Sequence, residues 1–338
     1  MYNQKNILDH SQIHVREGNV HIGDIMITKD DQYFYQKLLN ELDIYPYLVN
    51  RKEQDHSVYT KIQLVKKDSK PILGILHGEL DESPDKYRHR LEYYLNDWLE
   101  EFQPATIDPQ IFKINWPVNY HSQEQLKTDL FRDLRMYHQV TDEHSLEKLY
   151  QRFPEQHLVF YDVFSIATQN FMTSEQNKSE FFDKNKLEKI IKGFFEFWSN
   201  IPPRASSYKV IAILVFKYPT EKKKKWFLFK KPDQRLKNML WFLERCHQIS
   251  HQEGKACKEI LDELKIQNVH NAECFVFPTV KNIHLKDIDD WLGLNVISKK
   301  MGRLDLSQQF QRRFSELQTD RISLKAFKDY LVEFIKTN

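Results

Sequence analysis

A short apolar run most strongly limits the folds open to this chain. Ile72-Leu73-Gly74-Ile75-Leu76 has the length and composition of a buried β-strand, breaks at His77-Gly78, and leads through an acidic loop into a long amphipathic helix. Four further apolar stretches of strand length follow, and helical patterns of ten or more residues separate them. This alternation predicts an α/β fold with a mostly parallel sheet and helices on both faces.

The order of these patterns along the chain also predicts its organisation. The predicted strands are 72–77, 112–116, 157–162, 210–216 and 274–277. The predicted helices are 53–66, 86–102, 122–137, 186–198, 234–251, 304–317 and 323–336, with Ser323 as the N-cap of the last. We predict four segments: an N-terminal β-hairpin (1–30), a helical lead-in (31–70), the α/β domain (71–299) and a C-terminal helical segment (300–338).

The loop after the first strand lies where a P-loop NTPase binds nucleotide phosphates. Such a loop reads Gly-x-x-x-x-Gly-Lys-Ser/Thr, because backbone N–H groups and the lysine bind the phosphates and the hydroxyl binds Mg²⁺. Here Ser83 replaces the second glycine, Pro84 the lysine and Asp85 the hydroxyl residue, and four carboxylates line the loop. A carboxylate roughly 4 Å from a phosphate charge costs about 1 kcal/mol in water and about 4 kcal/mol near a protein surface. We therefore predict that nucleotide binding is lost.

The acid needed for nucleotide hydrolysis is only partly present. Asp162 ends the predicted strand 157–162, but Tyr161 and Val163 flank it, so the second acid that would orient an attacking water is missing. We predict no catalysis and no cofactor. The predicted vestigial nucleotide pocket consists of His77, Gly78, Glu79, Ser83, Pro84, Asp85 and Asp162. The alternative is an NTPase or nucleotide-binding switch with an atypical site that uses Asp162 with Lys86 or Arg51.

Histidine and cysteine residues give no metal signature. His247 and His251 are four residues apart on a predicted helix, beside Cys246, but a third ligand at a diagnostic spacing is missing from the sequence. We predict no metal site, and a structural role for His77 at its strand end. An odd cysteine count of three suits a reducing compartment.

The N-terminal segment has the pattern of a β-hairpin. Ile13, Val15, Val20 and Ile22 alternate with polar residues around Glu17-Gly18-Asn19. An isolated hairpin is marginally stable in water, so it either docks on its own chain or exposes an edge that recruits a partner or stacks with copies of itself. We assign these four apolar residues as the predicted partner contact.

One basic and aromatic stretch offers a second alternative function. Lysines 222–225, namely Lys222, Lys223, Lys224 and Lys225, precede Trp226, and this pattern suits single-stranded nucleic acid because phosphates pair with charge and bases stack on rings. A solvated turn and an acidic protein partner are the other interpretations. The formal net charge of +2 provides no global field that favours nucleic acid or a membrane.

Several short motifs, taken in order, resemble those of a known family. They are Pro46-Tyr47-Leu48-Val49-Asn50-Arg51 with Gln54, Leu76-His77-Gly78-Glu79, Trp116-Pro117, Phe197-Trp198 followed by Pro202-Pro203, Lys217-Tyr218, and Asp287-Ile288-Asp289-Asp290-Trp291-Leu292. Over about residues 40–295 the chain resembles the inactive STAND domains of prokaryotic conflict systems. This resemblance implies a STAND NTPase that has lost its phosphate loop and works as a non-catalytic adaptor or sensor.

The same resemblance implies a protein partner, the effector or sensor of an antiviral defence or signalling system. Gly18-Asn19-Val20-His21-Ile22-Gly23-Asp24 is similar to strand motifs that precede such domains. A secretion leader and a run long enough to span a bilayer are missing from the sequence, so we expect a cytoplasmic protein without membrane contact.

Overall fold

The computed structural model describes most of the predicted elements. The described residues are 13–16, 19–22, 25–27, 44–49, 51–64, 70–100, 110–115, 123–137, 160–167, 184–199, 208–218, 234–250, 262, 272–301 and 305–337. The strands are β1 (Ile13–Arg16), β2 (Asn19–Ile22), β3 (Ile25–Ile27), β4 (Ile72–Glu79), β5 (Gln110–Asn115), β6 (Phe160–Ala167), β7 (Tyr208–Tyr218), β8 (Glu273–Val276), β9 (Ile283–His284) and β10 (Arg321–Ile322). The helices are α1 (Lys52–Leu64), α2 (Tyr87–Glu100), α3 (Gln123–Tyr137), α4 (Lys184–Ser199), α5 (Gln234–Ser250), α6 (Leu285–Leu292), α7 (Asn295–Met301), α8 (Leu306–Leu317) and α9 (Leu324–Thr337).

A five-stranded sheet organises residues 51–280, which form one compact unit. The strand order is β5-β6-β7-β4-β8, and every neighbouring pair is parallel. The predicted α/β fold with a mostly parallel sheet is therefore confirmed. The strand from the initial apolar run, β4, lies inside the sheet between β7 and β8, as its apolar sequence requires.

Both faces of β4 are covered. Ile72 and Leu76 share a buried cluster with Val58 of α1 and with Leu91 and Leu95 of α2. The residues that alternate with them are also buried, because every position from Ile72 to Gly78 is inaccessible to solvent. A strand that is buried on both sides cannot show the polar alternation of a surface strand, which explains its continuous apolar run.

Gly74 allows two aromatic rings to pack against the centre of β4. A Cβ atom at this position would lie 2.7 Å from Cε2 of Phe277 and 3.0 Å from Cζ of Phe275. Both rings are fully buried, and their centroids are 4.6 Å apart. The glycine in the apolar run is thus needed for close packing.

One predicted strand boundary is wrong and has a functional consequence. The third strand was predicted at 157–162, but β6 runs from Phe160 to Ala167. Asp162 therefore lies near the start of the strand and does not end it. The remaining predicted strands and helices among the described residues start and end within three residues of the observed ones. The short elements β9 (Ile283–His284), α6, α7 and β10 were not predicted.

The N-terminal strands form a larger sheet than predicted. β1 and β2 pair antiparallel, with Ile13 opposite Ile22 and Val15 opposite Val20, as the hairpin prediction requires. A third strand, β3, pairs with the other edge of β2, placing Ile27 opposite Val20. The alternation of strand residues gives the six isoleucine and valine positions one shared face of this sheet.

The C-terminal residues have a small aromatic core of their own. Residues 281–338 form a compact unit with residues 1–50. Within it, buried Trp291 donates from Nε1 to the backbone oxygen of Tyr45 at 2.8 Å and packs edge-on against Phe327 at 5.1 Å. Phe310 and Phe334 extend this cluster. The structure thus groups 281–299 with the C-terminal helices, whereas we predicted them as part of the α/β domain, and it groups α1 with the sheet.

The predicted cap of the last helix is confirmed and gives a stability prediction. The amide of Ala326 donates to Oγ of Ser323 at 3.2 Å. We expect Ser323→Ala to lower the free energy of unfolding by about 1 kcal/mol, because an amide of the first turn loses its acceptor. Urea unfolding measures the change. Ser315→Ala within α8, an exposed hydroxyl bonded to a helix carbonyl, is the control and should change stability by less than about 0.5 kcal/mol.

Candidate functional site

The loop that follows β4 is built from two tight turns. Leu80–Glu82 forms a 3-10 turn, Ser83 has a left-handed backbone with φ 45° and ψ 55°, and Pro84–Lys86 forms a second 3-10 turn that leads into α2. This position, at the carboxyl end of an interior parallel strand and before a helix, is where α/β proteins commonly bind ligands. A nucleotide site in a fold of this kind would therefore lie at the loop after β4.

Three backbone amides of this loop are engaged within the loop. The amide of Ser83 donates to Leu80 O at 3.1 Å, and that of Lys86 donates to Ser83 O at 2.9 Å. The amide of Tyr87 donates to the oxygen of Pro84. A phosphate-binding loop needs such N–H groups to point at the ligand. In this loop the three amides close turns instead.

Pro84 occupies space that a phosphate would need beside Gly78. Its side chain is buried, and its Cγ lies 3.5 Å from the point where a Cβ on Gly78 would be. Cβ of Val280 lies 3.0 Å from the same point, and the amide of Val280 donates to His77 O at 3.1 Å. The side chains of Pro84 and Val280 therefore occupy the space beside Gly78 that a phosphate would need.

A buried ion pair neutralises one carboxylate of the first acidic turn. Nη2 of Arg51 donates to Oε2 of Glu82 at 3.2 Å, and these side chains are 9% and 1% exposed. Arg51 immediately precedes α1, so the pair joins the start of that helix to the loop. The guanidinium of Arg51 is therefore paired with the carboxylate of Glu82, a partner from the chain itself, where a nucleotide-binding loop would pair such a cation with a phosphate.

A second pair neutralises the next turn. Nζ of Lys217, near the end of β7, lies 3.3 Å from Oδ1 of Asp85, and both side chains are mostly buried. Asp85 stands at the sequence position of the Mg²⁺-binding hydroxyl. Two cations and two carboxylates of the loop region are thus matched within the chain.

The helices α1 and α2 are linked by a further set of polar contacts. Asp55 accepts hydrogen bonds from Nε of Arg90 at 2.6 Å and from the hydroxyl of Tyr87 at 3.0 Å. Burial raises the pKa of Asp55, and the charge of Arg90 opposes that rise. Burial also raises the pKa of Tyr87, which keeps the hydroxyl protonated as a donor. This network fixes α2, and with it the loop from which α2 begins.

α1 also contacts the strand on the other side of β4. Nε2 of Gln54 donates to Pro278 O at 3.0 Å, directly after β8. Nζ of Lys61 lies 2.6 Å from Oε1 of Glu273 at the start of β8. Arg51 and Gln54 thus join α1 to the loop and to the end of the neighbouring strand.

His77 is buried without a hydrogen-bond partner. Its side chain is 1% exposed, and neither ring nitrogen has a partner. Burial lowers the pKa of His77 to about 3, with a smaller contribution from His247. The ring lies beside Tyr218, at 6.2 Å between centroids. The imidazole is therefore neutral at physiological pH, in line with a structural role.

Asp162 does not join the predicted pocket. It is paired in register with Val210, whereas Gly78 is paired with Lys217, seven positions further along β7. At roughly 3.3 Å per residue, this places Asp162 about 20 Å from the loop, at the opposite end of the sheet. The prediction failed because the strand was assigned too early in the sequence.

The other predicted pocket residues, His77, Gly78, Glu79, Ser83, Pro84 and Asp85, are brought together at the loop. Lys222 to Lys225 and Trp226 lie outside the described residues. Within the described part of the chain, groups of three or more metal-ligating side chains are not found. His247 instead bonds through Nδ1 to Val276 O at 2.8 Å.

Sequence reasoning missed most of the cations that balance the loop. Arg51 entered only as a candidate phosphate ligand, and Lys217 and Arg90 were not assigned a role. The sequence did contain one indication of such cations. The loop holds four acidic residues between two buried elements, and buried carboxylates need cationic or hydrogen-bonding partners. Which cations supply those partners depends on contacts across 31 and 132 positions of sequence, which no local pattern reveals.

Comparisons with known proteins leave the family open. No protein-family model and no curated protein matches the chain. Among solved structures, Rif2 in complex with the C-terminal domain of Rap1 aligns at 11% identity over 91% of this chain and 81% of the other, with a TM-score of 0.31. Saccharomyces cerevisiae RIF2 aligns at 9% identity over 90% and 85%, with a TM-score of 0.30. Scores this low do not establish a shared fold.

None of the helices in the described part of the chain combines the length and the apolar character that a membrane-crossing helix requires.

Proposed function

We propose that this chain is a non-catalytic adaptor or sensor, with a P-loop-like α/β unit that holds internal ion pairs where its relatives would hold nucleotide. One observation carries the proposal: the loop after β4 is closed by its own turns, filled by Pro84, and has two of its four carboxylates paired with Arg51 and Lys217. A loop of this kind has a structural role. Turnover of a nucleotide would require phosphate ligands that it does not present.

The strand order supports the P-loop-like origin. β4 is the first strand of the sheet in sequence and lies between the fourth, β7, and the fifth, β8, while the second, β5, is at the far edge. This resembles the arrangement of STAND-type NTPases, in which the strand before the phosphate loop is interior. The likeness concerns topology and is independent of the sequence motifs.

The carboxyl end of β6 supports the loss of hydrolysis. In a P-loop enzyme the Mg²⁺-ligating acid ends this strand, next to the phosphate loop. The sequence from Ser165 to Asn170 carries no acid, and Asp162 lies at the other end of the sheet. A metal-assisted attack on a nucleotide would lack its ligand here.

The N-terminal sheet is the proposed partner contact. Its three strands carry isoleucine or valine at every position of one shared face, including Ile13, Val15, Val20 and Ile22. Small sheets of this kind gain stability by covering such a face. The partner is a protein of the same defence or signalling system, as the family resemblance implies.

A matched pair of lysine substitutions tests this contact. Val20→Lys places a charge on the shared apolar face of the central strand, and His21→Lys places one on the opposite face, one residue away. The tagged full chain, expressed in its native cells, should recover a stoichiometric partner in its wild-type and His21→Lys forms. We expect recovery to fall at least about tenfold with Val20→Lys, because burying a charge against apolar residues is costly.

The thermal stability of both variants distinguishes the alternatives. Equal melting temperatures with loss of the partner only in Val20→Lys support the proposal. Unchanged recovery of the partner would contradict it. A fall in melting temperature for Val20→Lys alone would show that the face packs within its own chain, which also contradicts it.

A further inference from the structure

The helix α5 exposes a tryptophan on its solvent face. Trp241 is 60% exposed, whereas Phe242, Leu243 and Cys246 on the other side of the helix are buried. The buried side already anchors the helix in its unit. The exposed indole therefore adds little to the core. A single exposed apolar side chain is ordinary on a protein surface, so the charges around this ring decide whether it could bind a ligand.

Cations flank this ring along the helix. The guanidinium of Arg245, one turn later, lies over the indole at 5.5 Å from Cζ to the ring centroid. Lys237, one turn earlier, is exposed. The guanidinium of Arg245 therefore covers one face of the indole, and the backbone of Lys237 lies about 6 Å from that of Trp241 along the helix axis. Glu244 is the acid among the exposed described residues of the helix.

The sequence around the helix has the same character. From Glu221 to Gln248 it holds nine basic and three acidic residues, although the whole chain has a net charge of only +2. Most of the positive excess of the chain is thus concentrated on α5 and the segment that leads into it. Such a concentration attracts polyanions at short range.

We propose that the exposed face of α5, formed by Lys237, Trp241 and Arg245, binds single-stranded nucleic acid. A base stacks on the indole face that the Arg245 guanidinium does not cover, and the phosphates on either side of that base pair with Arg245 and Lys237. This contact is separate from the N-terminal sheet and goes beyond the adaptor function. The three residues of the face do not include the basic run at 222–225, which supplies four of the nine basic residues between Glu221 and Gln248 and lies outside the described residues.

The arrangement of the face favours a nucleic acid over an acidic peptide. In a nucleic-acid strand, each flat base lies between two phosphates. Along this helix face, the indole of Trp241 lies between two cationic residues in sequence, Lys237 and Arg245. An acidic peptide supplies the charges without the stacking surface. Stacking and charge together also predict binding with little sequence preference and with strong salt dependence.

Fluorescence anisotropy with a labelled oligo(dT) of about 12 nucleotides tests the proposal on the full chain. We expect binding at 50 mM salt, roughly, that weakens as salt is raised. Trp241→Leu should weaken binding about tenfold, whereas Trp241→Phe should stay within about threefold, because phenylalanine keeps a stacking face. Arg245→Ala should weaken binding and reduce the salt slope by about one.

Two further variants complete the design. Met136→Ala removes another exposed apolar side chain, on α3 of the same unit, and should leave binding unchanged. Glu244→Gln removes the acid of the face and should tighten binding about twofold. Absence of binding by the wild type, equal binding by Trp241→Leu, or equally tight binding of a polyglutamate peptide would each overturn the proposal. None of these results bears on the N-terminal contact.

Discussion

Replacing Arg51 by methionine should lower the free energy of unfolding by about 3–5 kcal/mol. The substitution leaves Glu82, 1% exposed, as a buried carboxylate that has lost the guanidinium 3.2 Å away. It also removes a positive charge that acts on Asp55. Urea denaturation of the wild type and the variant measures the loss.

The double variant Arg51→Met/Glu82→Met separates the ion pair from general damage. Two apolar side chains of similar length can replace a buried pair at little cost, so stability should return to within about 1 kcal/mol of the wild type. Lys52→Met changes the exposed neighbouring residue and is the control. If Arg51→Met costs less than about 1 kcal/mol, the ion pair does not stabilise the loop.

Acid should destabilise this protein through His77. Its pKa is about 3 in the folded chain and about 6.5 in the unfolded chain, so the unfolded chain binds the proton more tightly. The contribution to stability is complete above about pH 6.5 and is lost as the pH falls toward 3. About 2.5 kcal/mol should be lost between pH 7 and pH 4.5 from this residue alone.

The variant His77→Leu isolates that contribution. Leucine fills a similar volume and removes two ring nitrogens that have no partner, so stability at pH 7 should be equal or higher. Its stability should fall less steeply than that of the wild type between pH 7 and pH 4.5. His56→Gln, at an exposed position of α1, should keep the wild-type slope. Parallel pH profiles for wild type and His77→Leu would contradict this account.

The fold was predictable where the apolar pattern was strong. The strands at 72–79 and 208–218 are long apolar runs, and their burial on both faces follows from that composition. The hairpin register of β1 and β2 followed from period-two alternation around Gly18. The N-cap role of Ser323 followed from local helix chemistry. These features depend on residues that are close together in sequence.

The rest depended on contacts that no local pattern encodes. β3 was missed because Ile25-Met26-Ile27 is too short to show alternation. Asp162 was placed at the end of a strand because residues 157–162 fit a strand pattern as well as the observed strand residues 160–167 do. The loss of phosphate-binding residues was visible in the loop sequence, but the cations that pair with two of its carboxylates come from the residue before α1 and from β7. Their identity required the sheet order.

The central claim is that Arg51, Lys217 and Pro84 fill the place of a nucleotide's phosphates. Isothermal titration calorimetry of the full chain with ATP or GTP and Mg²⁺ tests it most directly. We expect no binding heat at nucleotide concentrations up to about 1 mM, equivalent to a binding free energy weaker than about 4 kcal/mol. Saturable binding with a dissociation constant below that concentration, competed by inorganic phosphate, would contradict the account.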